Sequence, residues 1–362
     1  MSSFVPLVLD HLRLTHDIVA AVRAIGEGKG RQDLFKERAP EVLENLRQVA
    51  IIESAESSNR LEGITAPRTA IELLVRRNAE PRAGNRSEAE IAGYRDVLQL
   101  IHERHEHMEL TPNLVLQLHR DLFKFAGSGA AGRWKITDNL ITERRPDGST
   151  FVRFTPTPAW RTPEAMEALH RDFAAAGDGD IDPLILIALY LLDFLCIHPF
   201  LDGNGRMVRL LTVLLLYRED YEVARYISLE RLIERTRESC YDTLYRSPQG
   251  WHESAHDPMP WVGYFLGIVR AAYDEFARDL GELRDGRGMK TQLVLQAISQ
   301  MIGDFSASEL HQRCPSVGVD MLRHVLRSER DAGRLQVVGR GRGARWRRVP
   351  AAGNRVIREE MG

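Results

Sequence analysis

Twelve residues carry the densest chemistry in the chain: His198-Pro199-Phe200-Leu201-Asp202-Gly203-Asn204-Gly205-Arg206-Met207-Val208-Arg209. His198 offers a base whose ordinary pKa lies near neutrality. Gly203 and Gly205 permit positive φ, and a helix is expected to begin near Arg206. Such a turn presents backbone N–H groups at a helix N-terminus, which is an anion site. Arg206 and Arg209 are three residues apart, so both should project from one side of that helix. Asp202 would repel phosphate at this place unless a cation lay between them. Mg²⁺ suits that position, because it takes one or two carboxylates together with phosphate oxygens. A histidine at a helix end is ordinarily structural, and a Gly-Asn-Gly turn alone is only a loop. The case for function is that base, carboxylate, glycine turn and two arginines occur together.

The segment resembles the Fic family signature, His-x-Phe-x-Asp/Glu-Gly-Asn-Gly-Arg-x-x-Arg, at every fixed position. The resemblance extends in layout over residues 1–280. It implies a nucleotidyltransferase that moves AMP from ATP to a Ser, Thr or Tyr hydroxyl of a protein, itself included, with pyrophosphate leaving. His198 would take the hydroxyl proton and Asp202 would hold Mg²⁺. Gly203, Asn204, Gly205, Arg206 and Arg209 would bind the nucleotide. The phosphate-transferring Doc branch of the family has lysine where this chain has Gly205, which favours AMP transfer here. Relatives often carry a Tyr-Tyr pair at the base end, on the helix matching Leu229–Tyr245. This chain has Cys240-Tyr241 there, leaving Tyr241 as the candidate base contact.

Ser58 and Glu62 are four residues apart and share a helix face. A glutamate in a last helical turn opposes the helix dipole, so a cationic partner would suit it. Ser58-Asn59-Arg60-Leu61-Glu62-Gly63 resembles the family's inhibitory motif, Ser/Thr-x-x-x-Glu-Gly/Asn. By that resemblance Glu62 pairs with Arg209 and keeps ATP out of a productive pose. The plainer alternative is a solvated glutamate before a Gly63 C-cap.

The elements that must position these groups read as mainly α. Ala39–Leu61 has apolar residues at steps of three and four, and so do Ser87–Glu103 and Thr111–Phe125. Thr111 is an N-cap with Pro112 at the first helical position. Between Lys135 and Pro156 the period changes. Leu140–Thr142 and Thr150–Phe154 flank Arg145-Pro146-Asp147-Gly148, a tight-turn signal, so a β-hairpin is expected. The resemblance makes residues 135–156 the flap that receives a protein substrate as an added strand. Helices resume at Pro163–Ala175, Asp182–Ile197, Arg206–Glu219, Leu229–Tyr245 and Trp261–Leu283. Asp182–Ile197 is apolar nearly all round and belongs in the core. It should end at His198, because Pro199 disfavours the helical conformation of the residue before it.

Gly281–Gly288 reads as a linker. Beyond it Lys290–Met301, Ser306–Arg313 and Asp320–Ala332 read as short helices, followed by strands Leu335–Val338 and Arg345–Arg348. That order resembles a winged helix-turn-helix. The expected domains are therefore 1–105, an N-terminal helical region with the inhibitory helix; 106–280, a Fic-type core with a hairpin flap; and 289–350. Arg334, Arg340, Arg342, Arg345, Arg347 and Arg348 make a basic wing, which leaves DNA binding and a protein-binding or dimerisation role both open.

The 362 residues exceed a usual single core, and a formal charge of −2 excludes a globally basic nucleic-acid coat. Three scattered cysteines, Cys196, Cys240 and Cys314, give neither a disulfide framework nor metal-ligand spacing. Met1–Thr15 lacks a signal-peptide core, and the apolar run Pro183–Phe200 is short for a membrane span and broken by Asp193. A cytoplasmic enzyme is the expectation. A nucleotide-sensing DNA-binding regulator and a Fic-type enzyme that removes AMP are the alternatives.

Overall fold

The computed structural model describes residues 2–38, 40–76, 79–144 and 148–284, and residues 291–349 except 292–293, 296, 299–300, 302, 315–316 and 340–344. The chain divides into two compact units, Met1–Phe276 and Ala277–Gly362, with the boundary inside one long helix.

The first unit is helical. Its elements are α1 (Pro6–Leu9), α2 (His16–Arg38), α3 (Pro40–Leu61), α4 (Arg68–Arg76), α5 (Arg86–Arg104) and α6 (Pro112–Leu122), then the strands β1 (Ile141–Arg144) and β2 (Thr150–Phe154). α7 (Thr162–Gly177), α8 (Pro183–Ile197), α9 (Asn204–Arg218), α10 (Leu229–Arg235), α11 (Arg237–Arg246) and α12 (Met259–Arg284) follow. α3 and α5 pack on each other and on α9. The N-terminal helices therefore share one unit with the signature segment and do not stand apart as a domain ending at residue 105.

α8 is the central helix. Its N-cap Asp182 accepts a hydrogen bond from the Leu184 N–H at 2.9 Å, and Pro183 occupies the first turn. Leucine and isoleucine around its whole circumference are buried. Asp193, the one charge in the helix, is buried too and fully bonded. It accepts from the Ser3 N–H at 2.7 Å, the Ser3 hydroxyl at 2.6 Å and the Trp251 indole N–H at 2.6 Å. A buried carboxylate is tolerated only with such partners. They tie the N-terminal segment to the helix that leads into His198.

The long helix expected over Leu229–Tyr245 is two helices, broken at Thr236, whose φ of −113° and ψ of 28° leave the helical region. α2 and α4 were not anticipated from the sequence. α2 carries Gly26, Gly28 and Gly30, each costing about 1 kcal/mol of helix propensity, so tertiary packing decides its conformation. β1 and β2 pair antiparallel with Thr142 opposite Val152 and Arg144 opposite Thr150. Positions 39 and 145–147, the latter in the expected turn, lie outside the described residues.

The second unit has α13 (Ala307–Arg313), α14 (Val319–Asp331) and an antiparallel pair, β3 (Leu335–Val338) with β4 (Arg345–Arg348). Ser306 and Glu309 form a reciprocal capping box on α13. Phe305 bridges Trp346 through both backbone hydrogen bonds, extending the pair. Phe305, Leu310, Leu322, Leu326 and Leu335 are buried between the helices and strands. Much of the expected helix Lys290–Met301, the wing-tip positions 340–344 and the linker positions 285–288 lie outside the described residues. Gly281–Arg284, read as linker, is the end of α12. Among the described residues no helix is long and apolar enough to cross a membrane.

Candidate active site

α8 ends at Ile197, and His198 takes the left-handed conformation, φ 51° and ψ 61°. Pro199 disfavours the right-handed alternative at His198, so a strained backbone is held by its surroundings. Lys135 supplies part of that hold. Its Nζ donates to the Ile197 carbonyl at 3.0 Å and its backbone N–H donates to the Pro199 carbonyl at 2.9 Å. Burial lowers the Lys135 ammonium to about 8. The Asn139 amide donates to the Phe200 carbonyl at 3.0 Å.

The His198 ring donates from Nδ1 to the Leu195 carbonyl at 3.2 Å, which leaves Nε2 as an unprotonated acceptor. Burial is the main cause that lowers its pKa to about 4, helped by the nearby Lys135 charge and opposed by the Leu195 bond and by Glu62. His198 is thus a neutral base at pH 7.

The turn departs from expectation in three respects. Helix α9 begins at Asn204, two residues earlier than Arg206. Gly203 has positive φ, 85°, but Gly205 is helical. What lies close to Gly205 is the Glu62 carboxylate: a Cβ there would lie 2.2 Å from Glu62 Oε1, so a side chain at this position would displace that carboxylate. The Gly203 N–H is engaged by Asp202 Oδ1 at 2.6 Å, so the orphan donors of the first turn are those of Asn204, Gly205 and Arg206. The Asn204 side chain braces the turn, accepting from the Phe200 N–H at 2.9 Å and donating to the Phe200 carbonyl at 2.7 Å.

The two arginines part company. Arg209 lines the cleft; its Nε donates to Ser58 Oγ at 2.8 Å, and its Nη2 donates to the Ser58 carbonyl at 2.9 Å and to Glu62 Oε1 at 2.7 Å. Arg206, expected beside the phosphates, does not line the cleft. Its guanidinium is 1% exposed, bonded to Glu90 Oε2 at 2.6 Å and stacked over Phe123. Sequence spacing placed both arginines on one helix side, but the Glu90 carboxylate on α5 draws one of them inward.

α3 is fixed where it delivers Ser58 and Glu62. The buried Glu230 carboxylate on α10 accepts from Ser54 Oγ at 2.6 Å and from the Tyr94 hydroxyl at 2.7 Å. The helix closes at Gly63, φ 77°, with the Ile64 N–H bonded to the Asn59 carbonyl at 2.9 Å.

These groups face a cleft of about 1070 Å³. His198, Asp202, Arg209 and Glu62 lie on it, and so do the hairpin residues Ile141 and Thr142, and Tyr241, Trp261 and Tyr264. Arg153 of β2 ties the hairpin to α11 by donating to the Tyr241 carbonyl at 2.6 Å. His119 on α6 was missed in the sequence, where an isolated helical histidine gives no signal. Its Nε2 meets the Asp202 carbonyl at 3.0 Å, and burial lowers its pKa to about 4.

Among the described residues no cluster of three or more metal-ligating side chains occurs. Asp202 is a single carboxylate with 61% of its side chain exposed. That donor set fits a cation shared with phosphate oxygens and does not fit a cage made by protein alone.

Fold and site together define a helical domain that presents a neutral histidine and a helix N-terminus to one cleft. Residues 109–216 match the Fic/DOC family model, so this part of the chain is a Fic/DOC domain. A curated relative, protein adenylyltransferase fic-1 of Caenorhabditis briggsae, is 25% identical over 185 residues, 51% of this chain and 31% of that protein. The chain thus spans about a third of the length of the curated relatives it matches. The crystal structure of a Fic family protein from Desulfovibrio desulfuricans G20 has a TM-score of 0.60 at 23% identity, covering 95% of this chain and 98% of that one. Fic-1 from C. elegans has a TM-score of 0.54 at 20% identity, covering 74% of each chain. The mainly α architecture is the Fic fold.

Proposed function

We propose that the protein transfers AMP from ATP to a protein hydroxyl and that Glu62 holds this activity down. The observation that carries the reading is the His198 Nε2 lone pair facing the same cleft as the orphan N–H groups at the start of α9. In the proposed reaction Nε2 accepts the proton of a Ser, Thr or Tyr hydroxyl. The hydroxyl oxygen bonds to the α-phosphorus, and the bond from that phosphorus to the bridging oxygen breaks. Pyrophosphate leaves with the bonding electrons. The N–H groups of residues 204–206 and the Arg209 guanidinium stabilise the phosphate charge, so the protein contributes positioning and electrostatics. Asp202 is the residue to hold Mg²⁺, which when bound would neutralise part of that charge.

The hairpin β1–β2 borders the cleft beside His198, which suits docking of an extended protein segment along it. Tyr241 also lines the cleft and in this reading would be a contact for the base. The Glu62–Arg209 pair supports the inhibitory reading, because the guanidinium that should meet phosphate already holds a carboxylate. The test is intact-mass analysis after incubation with Mg²⁺–ATP, comparing wild type with Glu62→Gly. One added AMP per modified site supports the reading, and no increment in either protein overturns it.

For the second unit we favour a protein-binding role over duplex binding. Arg334, Arg345 and Arg347 pair with Glu329, Glu309 and Asp304, which offsets the basic field of the wing. Salt-sensitive retention of duplex DNA by the full chain in filter binding would reverse that preference.

A further inference from the structure

His119 lies outside the signature segment, yet it touches the centre of the site. Its ring stacks face to face on Phe200, with centroids 3.6 Å apart and planes 2° apart. The Gly132 N–H donates to Nδ1 at 2.9 Å. A ring nitrogen that accepts carries no hydrogen in the neutral imidazole, so the proton sits on Nε2. Nε2–H therefore donates to the Asp202 carbonyl at 3.0 Å.

The consequence runs through one peptide group. The Asp202–Gly203 peptide is trans and planar, so its N–H points opposite its C=O. With the carbonyl held by His119, the N–H is presented on the other side, where Asp202 Oδ1 accepts it at 2.6 Å. One imidazole thus holds the plane of the peptide, and the peptide N–H holds Asp202 Oδ1, which also lies 3.6 Å from Arg206 Nη2. Gly203 lies close against both rings: a Cβ there would be 2.8 Å from Phe123 Cε2 and 3.4 Å from His119 Nε2.

We propose that His119, as the Nε2–H tautomer, is a positioning residue that aims the Asp202 carboxylate at a cation shared with the nucleotide phosphates. This rests on the nucleotide reading above. It makes no contact with the reacting atoms; it acts through Asp202. Its role is the hydrogen bond, not the volume of the ring.

Two substitutions in the full-length protein separate those contributions. His119→Phe keeps the stack on Phe200 and removes both hydrogen bonds. His119→Gln keeps a terminal N–H donor and an adjacent acceptor. Calorimetric titration with ATP in Mg²⁺ and with ATP in EDTA should show His119→Phe losing about tenfold in Mg²⁺–ATP affinity, the scale of an outer-shell partner. Metal-free ATP affinity should change by no more than about twofold, and His119→Gln should recover most of the loss. Equal losses with and without Mg²⁺, no loss, or a glutamine variant as weak as the phenylalanine one would each overturn the inference. The titrations are made in the Glu62→Gly background, where the carboxylate over Gly205 is absent, and failure of that parent protein to bind Mg²⁺–ATP at all would overturn the nucleotide reading and this proposal with it. Long-range ¹H–¹⁵N spectra decide the tautomer independently of function, with His119→Gln assigning the resonance. Nε2 protonation is expected, and an Nδ1-protonated ring would overturn the positioning role even if nucleotide binding stands.

Discussion

Arg206 Nη1 and Glu90 Oε2 lie 2.6 Å apart, with 1% and 4% of their side chains exposed. The pair joins α9 to α5, and neither residue lines the cleft. Arg86, largely exposed, covers the other Glu90 oxygen at 2.7 Å. An arginine that reads as a phosphate ligand in the sequence is in the structure bonded to Glu90 behind the turn that presents the amides of residues 204–206.

That assignment gives opposite expectations for two arginines three residues apart. Arg206→Ala leaves a buried carboxylate with one exposed partner and should cost about 3 kcal/mol of stability, the low end for breaking a buried pair. Arg209→Ala should cost less than about 1 kcal/mol, because its partner Glu62 is partly exposed. Urea unfolding of both variants checks this. An Arg206→Ala midpoint at the wild-type value would return Arg206 to the cleft.

His198→Ala should abolish AMP transfer while leaving the fold and nucleotide affinity nearly intact, a loss of about a hundred- to ten-thousand-fold in rate. Labelling by the variant at the wild-type rate would remove His198 as base. The acid limb of the wild-type rate should fall near pH 4, where burial places His198, and not near 6.5.

Stability should follow the same window. His119, His198 and His256 are each lowered by burial to about 4 in the folded protein, against roughly 6.5 unfolded. Between those values the unfolded chain binds more protons, so stability falls as pH drops from about 6.5 toward 4. Urea midpoints measured from pH 7 to 4.5 should decline through this range. A flat profile would mean these rings are not buried as neutral groups.

What the sequence showed, and what it hid, follows a physical division. Caps, apolar periodicity and the Pro199 break were local, so Thr111, Asp182 and the end of α8 could be read directly. The Ser58–Glu62 spacing was local as well, and the family resemblance supplied its partner. Residues whose importance comes from distant partners gave no signal: Glu90 under Arg206, His119 on the Asp202 carbonyl, Lys135 bracing the His198 turn, and Ser3 on Asp193. The Gly205 case lies between. Its freedom for positive φ was legible but is not used; what the sequence hid is that the Glu62 carboxylate reaches it from α3.

Asp202→Asn should raise the Mg²⁺ requirement steeply, because it removes the charge that would hold the cation while keeping an acceptor for the Gly203 N–H. The check is the Mg²⁺ concentration at half-maximal AMP incorporation. An unchanged value would take Asp202 out of the metal site.

Glu62→Gly should turn a weakly active enzyme into a strongly active one, with auto-modification as the visible product. The argument is electrostatic and steric together. Arg209 Nη2 gives its shortest bond, 2.7 Å, to Glu62 Oε1. That oxygen also occupies the space directly above Gly205, where a phosphate would approach the first turn of α9. A phosphate at this place would meet a carboxylate instead of a free guanidinium, and the α-phosphorus would be misaligned for in-line attack. Misplacement by about an ångström can cost two orders of magnitude in rate. Removing the carboxylate frees Arg209, so activity should rise by about that factor, although most substitutions beside an active site lower it. Arg209→Ala should not reproduce the gain, because it loses the phosphate contact along with the inhibitory one. Initial rates of AMP incorporation for wild type, Glu62→Gly and the double variant with Arg209→Ala decide the matter. A Glu62→Gly rate at or below wild type would reduce Glu62 to a helix-ending glutamate, and a double variant as fast as Glu62→Gly would show that Arg209 holds no phosphate.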